Sequence, residues 1–215
     1  MTTKRYTIWT AREHEVDTVM RLLHERVQWL RDRGSDQWST YQRWRPEIEN
    51  SVRRHETWLL RDADTYEAVG TITMSPHSDP EFWTEQEREV RALYLAKLAT
   101  SPARRGEGLG ALLLEFSHYC AVADQYRELR VDVWKTAHGL HNYYRQQGWV
   151  HRRTVDLPHR HSGALFTRQV VAPTVNLPPH GLTIRPAGNG NVPKRPLEPG
   201  ELAWYGRDAL LYARR

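Results

Sequence analysis

The residues best equipped for chemistry lie in Ala103-Arg-Arg-Gly-Glu-Gly-Leu-Gly-Ala111, between a strand-like run and an amphipathic helix pattern. Alternating glycines let the backbone approach a ligand closely. A helix that starts there aims unpaired N–H groups and the positive end of its dipole at the loop. Such a loop is an anion site, and phosphate is its usual occupant. Arg104 and Arg105 add guanidinium groups, which suit phosphate. The spacing Gly106-x-Gly108-x-x-Ala111 formally fits a dinucleotide fingerprint, but that pattern wants its first glycine at a strand end in an opening βαβ unit. Here Ser-Pro-Ala-Arg-Arg intervenes and nearly half the chain comes first. A Walker A loop needs Gly-Lys-Ser/Thr, and no lysine is near. His159-Arg-His161 with His151 lacks the carboxylate or cysteine spacing of a metal site and reads as a solvated loop, so no metal is expected. The one cysteine, Cys120, excludes a disulfide framework and a multi-cysteine zinc module.

The elements that must position this loop follow from periodicity. Tyr6–Ala11 reads as a strand, and Val16, Val19, Met20, Leu22, Leu23, Val27 and Leu30 recur at helical spacing before Gly34 stops the helix. Ser35–Arg45 reads as a polar, aromatic loop, and a shorter helix follows over Pro46–Arg54. Strands are expected over 56–61 and 68–74, joined by a turn at Asp62-Ala-Asp-Thr, and again over 91–100 after a loop spanning 75–89. A helix from Gly108, a strand over 129–134, a helix over 138–147 and strands over 149–155 and 164–171 complete the order. Hairpins mixed with crossovers predict an α/β (α+β) fold with a mixed central sheet of about seven strands and about four helices.

A chain of 215 residues with 39 % hydrophobic content can bury one full core. No apolar run approaches the ~20 residues of a membrane span, and the start MTTKRYTIW has no apolar signal core. The expectation is a soluble, cytoplasmic protein that does not engage a membrane. The formal charge of +5 fits nucleic acid, an acidic surface or a phosphate-bearing ligand without choosing among them. The arginines alternate with Glu and Asp rather than forming one basic face, which argues against nucleic acid. Residues 1–171 read as one domain. Residues 172–215, rich in Pro and Gly, read as an extension docked on the body or on a second subunit through Leu202-Ala-Trp-Tyr205 and Ala209-Leu-Leu-Tyr212.

Two segments carry a family resemblance. Leu98-Ala-Thr-Ser-Pro-Ala-Arg-Arg-Gly-Glu-Gly-Leu-Gly-Ala111 resembles the acetyl-coenzyme A signature of the GNAT superfamily of N-acetyltransferases, its Arg/Gln-x-x-Gly-x-Gly/Ala pattern met by Arg105, Gly108 and Gly110. Leu140-His-Asn-Tyr-Tyr-Arg-Gln-Gln-Gly-Trp149 resembles the family's Leu-Tyr-Glu-Lys-x-Gly-Phe ending, and the element order fits from Tyr6 to about Val171.

The resemblance implies a GNAT fold whose fourth and fifth strands splay apart around acetyl-CoA. The backbone of Leu98, Ala99 and Thr100 would then pair with the pantetheine arm. The N–H groups of Arg105, Gly106, Glu107, Gly108, Leu109, Gly110 and Ala111 would cradle the pyrophosphate. Arg104 and Arg105 would add charge, while the Glu107 side chain would turn to solvent. The implied activity is acetyl transfer to an amine in a ternary complex, with Tyr144 as acid for the departing thiolate and Tyr143 as a packing neighbour. A cofactor-touching asparagine common in the family is replaced by Ala137.

Strict alternation sets Val90, Ala92, Tyr94, Ala96 and Leu98 on one strand face and Leu93, Leu95 and Lys97 on the other. Relatives place a basic Glu or His at the positions of Tyr94 or Ala96, and this chain has neither. The proton then passes from the site around Tyr94 through water to a loop carboxylate, Asp79 first, because Asp79-Pro-Glu-Phe-Trp83 joins an acid to an aromatic wall. Trp38 and Trp83, in polar loops, are the expected walls for a small-molecule amine, whereas Trp29 and Trp58 read as core. Acetylation of a protein amine and non-catalytic acyl-CoA binding are the alternatives, and a homodimer is compatible with either.

Overall fold

The computed structural model describes residues 5–185. Its strands are β1 (Tyr6–Thr10), β2 (Thr57–Asp62), β3 (Ala68–Ser75), β4 (Ala92–Thr100), β5 (Glu128–Trp134), β6 (Val150–Thr154), β7 (Ser162–Gln169) and β8 (Leu182–Ile184). They form one mixed sheet in the order β6-β7-β5-β4-β3-β2-β1-β8. The helices are α1 (Val16–Arg31), α2 (Arg45–Arg53), the single turn α3 (Glu85–Arg88), α4 (Leu109–Ala123) and α5 (His138–Gln146).

Each face of the sheet buries its own apolar layer. Leu60, Val69, Ile72, Leu93, Leu95, Leu129 and Val131 meet Leu109, Leu113 and Phe116 of α4 and Tyr144 of α5. On the opposite face Leu59, Ala68 and Ala99 meet Val19, Leu22 and Leu23 of α1 and Ile48 and Val52 of α2. The stripe read from α1 is thus the stripe it buries.

Two features arrange the space between β4 and β5. Their parallel pairing runs from Ala92↔Glu128 to Leu95↔Val131, although β4 continues to Thr100 and β5 to Trp134. Beyond Leu95 the two strands have parted. On its other edge β4 carries a bulge: Thr71 pairs with Ala99 but Thr73 with Ala96, and Lys97 takes a left-handed φ of 51°. An extra residue reverses the side-chain alternation that follows it. Leu98 therefore packs with the α4 layer alongside Leu93 and Leu95, while Ala99 joins the α1 layer. The strict alternation expected from sequence holds only up to the bulge.

The sheet has eight strands rather than about seven. β8 lies in the stretch read as the extension and pairs in parallel with β1 from Tyr6↔Leu182 to Ile8↔Ile184. The apolar segments at 202–205 and 209–212 lie outside the described residues. The loop over 75–89 contains α3, opened by a capping box in which Thr84 and Glu87 bond each other's backbone N–H.

Candidate functional site

The glycine loop takes the backbone path its composition requires. Gly106 and Gly108 have φ of 88° and 71°, and Gly108 is the N-cap of α4. No atom lies within 4 Å of a Cβ built on either, so the concave face is open. The first-turn N–H groups of α4 have no carbonyl to reach within the helix and point into that opening. The residues present therefore fit a pyrophosphate. A Cβ on Gly110 would lie 2.7 Å from the Tyr143 hydroxyl. Gly110→Ala is accordingly expected to push Tyr143 and the loop apart and raise the KM for acetyl-CoA about tenfold, read from initial rates at saturating acceptor. An unchanged KM would mean that this contact does not shape the loop.

The flanking charges divide their work differently from expectation. Arg104 donates to Asp62 at 2.7 Å and to Glu107 at 2.9 Å, and Glu107 also accepts from the Tyr6 hydroxyl at 2.6 Å. Arg104, with help from the Thr65 and Asp64 backbone N–H groups, lowers the Asp62 carboxyl to about 2. Burial, then Glu107, raises the Tyr6 hydroxyl to about 12. The Glu107 side chain is folded back onto β1 rather than turned to solvent. The Arg104 guanidinium is held by carboxylates and anchors the loop instead of standing free for a phosphate. Arg105 is exposed, with no ion-pair partner among the described residues.

From this loop one groove of about 1400 Å³ runs through the gap between β4 and β5 and out on the α1–α2 face. Leu98, Thr100, Arg105, Gly106, Gly108 and Gly110 line it. Ala99 does not, being 1 % exposed beneath α1. The Thr100 carbonyl and hydroxyl accept from Arg26 of α1, a groove residue for which sequence gave no signal. Tyr144 lines the groove from the α4 side and packs against Trp149 and Phe166 at ring distances of 5.4 and 5.7 Å. Burial first, then Tyr143 and Asp132, pushes its hydroxyl well above the ordinary phenol range.

Asp132 is the residue that sequence reasoning passed over. It follows Val131, the last β5 residue paired with β4, and lines the groove on the α1–α2 face. Burial raises its carboxyl, against the Ser162 hydroxyl and Arg160, which favour the charged form. The signal was a lone acid in the strand Leu129-Arg-Val-Asp-Val-Trp134, opposite in parity to its apolar partners.

The residues expected around the acceptor fall into two groups. Trp38 lines the groove with a left-handed φ of 63° and meets Trp44 edge-on at 5.5 Å. Trp83 is only 2 % exposed, set against Tyr94 at 5.9 Å with the Arg130 guanidinium 4.7 Å over its ring. It lines the groove as well, but with most of its ring buried in the core. Trp29 is the reverse case: it lies on the groove with Arg33 3.9 Å over its ring. Trp58 packs on Phe116 as expected of core. The Tyr94 hydroxyl accepts from the buried Arg130 at 3.0 Å. Asp79 pairs with Arg160 at 2.6 Å and caps the Glu81 N–H at 2.9 Å.

Residues 23–149 match the sequence profile described as the Acetyltransferase (GNAT) family. The chain belongs to the GNAT acetyltransferase family. Membership makes it an acetyl-CoA-dependent acetyltransferase. It is 28 % identical over 138 residues, 63 % of this chain and 76 % of the relative, to a Bacillus subtilis (strain 168) protein named as the uncharacterized N-acetyltransferase YesJ. In fold it is similar to a GNAT-family acetyltransferase of Listeria monocytogenes 4b F2365, with TM-score 0.66, 17 % identity, and 76 % and 94 % of the two chains covered. It is also similar to the PaiA N-acetyltransferase of Thermoplasma acidophilum, solved in complex with coenzyme A, with TM-score 0.59, 13 % identity and coverages of 79 % and 99 %.

In this GNAT chain the signature loop, the open β4 edge and Tyr144 share one groove, with the acid-bearing face of β5 opposite. No group of three or more metal-ligating side chains occurs among the described residues.

Proposed function

We propose that this protein is an N-acetyltransferase that moves the acetyl group of acetyl-CoA to the primary amine of a small molecule, by direct attack in a ternary complex. The observation that carries this reading is the continuity of one groove from the glycine loop, through the parted strands, to the tryptophan-lined side. Acetyl-CoA, bound with its pyrophosphate on the loop N–H groups and its pantetheine along the open β4 edge, supplies an activated thioester.

The residues of the chain manage protons. An alkyl amine has a pKa of about 10.4, so it arrives as ammonium and must lose one proton to attack and a second to become an amide. Both leave through the groove to solvent, from which the released thiolate takes one up. Asp132, in its deprotonated form, takes each proton in turn from nitrogen and passes it to water in the groove. Tyr144, from the opposite side of the parted strands, donates a hydrogen bond to the thiolate as it forms. Asp79 and Tyr94 support this arrangement: the first holds Arg160, and the second is itself held by Arg130. A neutral phenol is a poor base, and the Asp79 carboxylate is already engaged by Arg160.

What supports a small acceptor is how that side is bounded. The Trp134 indole donates to Asp36 at 3.2 Å, tying the loop after α1 to β5, and its ring stacks on His161 at 4.9 Å. Such a bridge crosses the path that a peptide lying along the sheet would take. The test is release of free thiol from acetyl-CoA across a panel of small amines. Thiol release with at least one small primary amine is expected, and none with any amine, while coenzyme A binds, would leave a binding protein instead.

A further inference from the structure

Two arginines meet at one groove wall without a carboxylate between them. Arg26 of α1 lines the groove and is half-buried. Its Nη2 donates to the Thr100 carbonyl and, at 2.7 Å, to the Thr100 hydroxyl, which leaves Nε and Nη1 without a bond among the described residues. Arg33, exposed in the turn after α1, donates to the Trp29 carbonyl at 3.2 Å. Both guanidinium groups lie over the Trp29 ring, Arg26 at 5.0 Å and Arg33 at 3.9 Å. Neither has an ion-pair partner among the described residues. Other cations of the groove wall are matched: Arg54 pairs with Glu56, Lys97 with Glu47, Arg104 with Asp62 and Arg160 with Asp79.

An arginine taken partly out of water beside a second one is costly unless an anion joins them. Burial, then the Arg33 charge, lowers Arg26 from its ordinary value. The face of Trp29 and the oxygens of Thr100 offset part of that cost. They carry no formal negative charge, so the two like charges remain unneutralised. A planar guanidinium with open donors matches the oxygens of a carboxylate or phosphate.

Register sets how far this wall stands from the acid-bearing end of the groove. Thr73 of β3 pairs with Ala96, and Gly70, three residues earlier, pairs with Thr100. Leu95, next to Ala96, pairs with Val131, next to Asp132. Thr100, and the Arg26 group on it, therefore stands about 10 Å along β4 from the level of Asp132. Trp29, Leu30 and Trp38 line the same groove and offer apolar surface to a linking chain.

We propose that the acceptor is an amine carrying an anionic group, carboxylate or phosphate, several bonds from its nitrogen, and that Arg26 and Arg33 bind that group. The amine then lies toward Asp132 and the anion at Trp29, so one molecule is held at both ends. The two arginines touch the substrate away from the reacting atoms, and no bond to them forms or breaks. This inference rests on the acyl-transfer reading and names the substrate class of the same groove.

The test compares kcat/KM for three primary amines of equal length, ending in a carboxylate, a phosphate or a neutral carboxamide, over a ladder of chain lengths. The KM for acetyl-CoA is followed in parallel. The wild-type protein is expected to favour at least one anionic amine over the carboxamide by about tenfold or more, the worth of a hydrogen bond to a charged group. Arg26→Gln and Arg33→Gln are each expected to bring that ratio toward unity through the KM for the anionic amine, and Arg26→Lys to keep part of it. Should Arg26→Gln not fold, Arg33→Gln at its exposed position decides alone. A wild-type ratio near unity at every length, or a ratio that survives both Gln substitutions, would overturn the proposal. A raised acetyl-CoA KM with the ratio intact would assign the arginines to the cofactor and overturn it as well. Absence of turnover with every amine would overturn the acyl-transfer reading itself, and this inference with it.

Discussion

Replacing Asp132 with asparagine is expected to lower kcat by about 10²–10⁴, the usual worth of a positioned general base. Asparagine keeps the shape of the side chain and its place in β5, so the loss would not be one of folding. The pH profile gives the sharper reading. A base works in its deprotonated form, so kcat should fall as pH drops through the carboxyl's pKa. Burial raises that pKa, and the acid limb should therefore lie above the ordinary aspartate value of about 3.9. The groups that face Asp132 pull in both directions: Ser162 of β7 and Arg160 of the loop before it favour the charged form, while the Asp79 charge opposes it. Tyr144, across the parted strands, feels the Asp132 charge in turn.

In Asp132→Asn this limb should vanish and the residual rate become flat with pH at saturating amine. Were Asp79 the proton acceptor, Asp79→Asn would carry the loss and Asp132→Asn would keep its limb. A rate within about threefold of wild type in Asp132→Asn would remove it from the chemistry.

What the sequence disclosed depended on the range over which each interaction acts. The α1 stripe, the glycine loop and the stop at Gly148 are written in neighbouring residues, and each lies where periodicity set it. The parity of β4 was not legible, because the bulge at Lys97 depends on the register with β3 and leaves no local mark. Arg104 beside a phosphate loop looked like a phosphate ligand. The carboxylate that claims it, Asp62, is 42 residues away. β8 was hidden for another reason: three residues hold it to β1, too few to show an alternation. Asp132 is the instructive miss. A charge within an apolar strand was visible, but only the parting of β4 and β5 turns that position toward a groove. Without that context Asp79, in a polar and aromatic loop, is the better placed acid on sequence alone.

Tyr144→Phe is expected to lower kcat about a hundredfold, within the range for a single positioned proton donor, with little change in either KM. The ring contacts with Trp149, Phe166 and Tyr143 survive the change, so the core beneath α5 should hold. The departing thiolate has a conjugate acid of pKa ~8.5, below that of a phenol. Burial raises the Tyr144 hydroxyl further. Full proton transfer to the thiolate is thus uphill, and the contribution of Tyr144 is a hydrogen bond to developing charge in a site shielded from water. A donor that stays protonated throughout the working range adds no limb of its own to the pH profile. Tyr144→Phe should therefore scale the whole kcat profile down while leaving the Asp132 limb in place, whereas Asp132→Asn erases that limb. If Tyr144→Phe instead shifts the limb, or keeps full turnover, the hydroxyl does not serve the leaving sulfur. The two substitutions together separate the two sides of the groove: one group acts on nitrogen and titrates, the other acts on sulfur and does not.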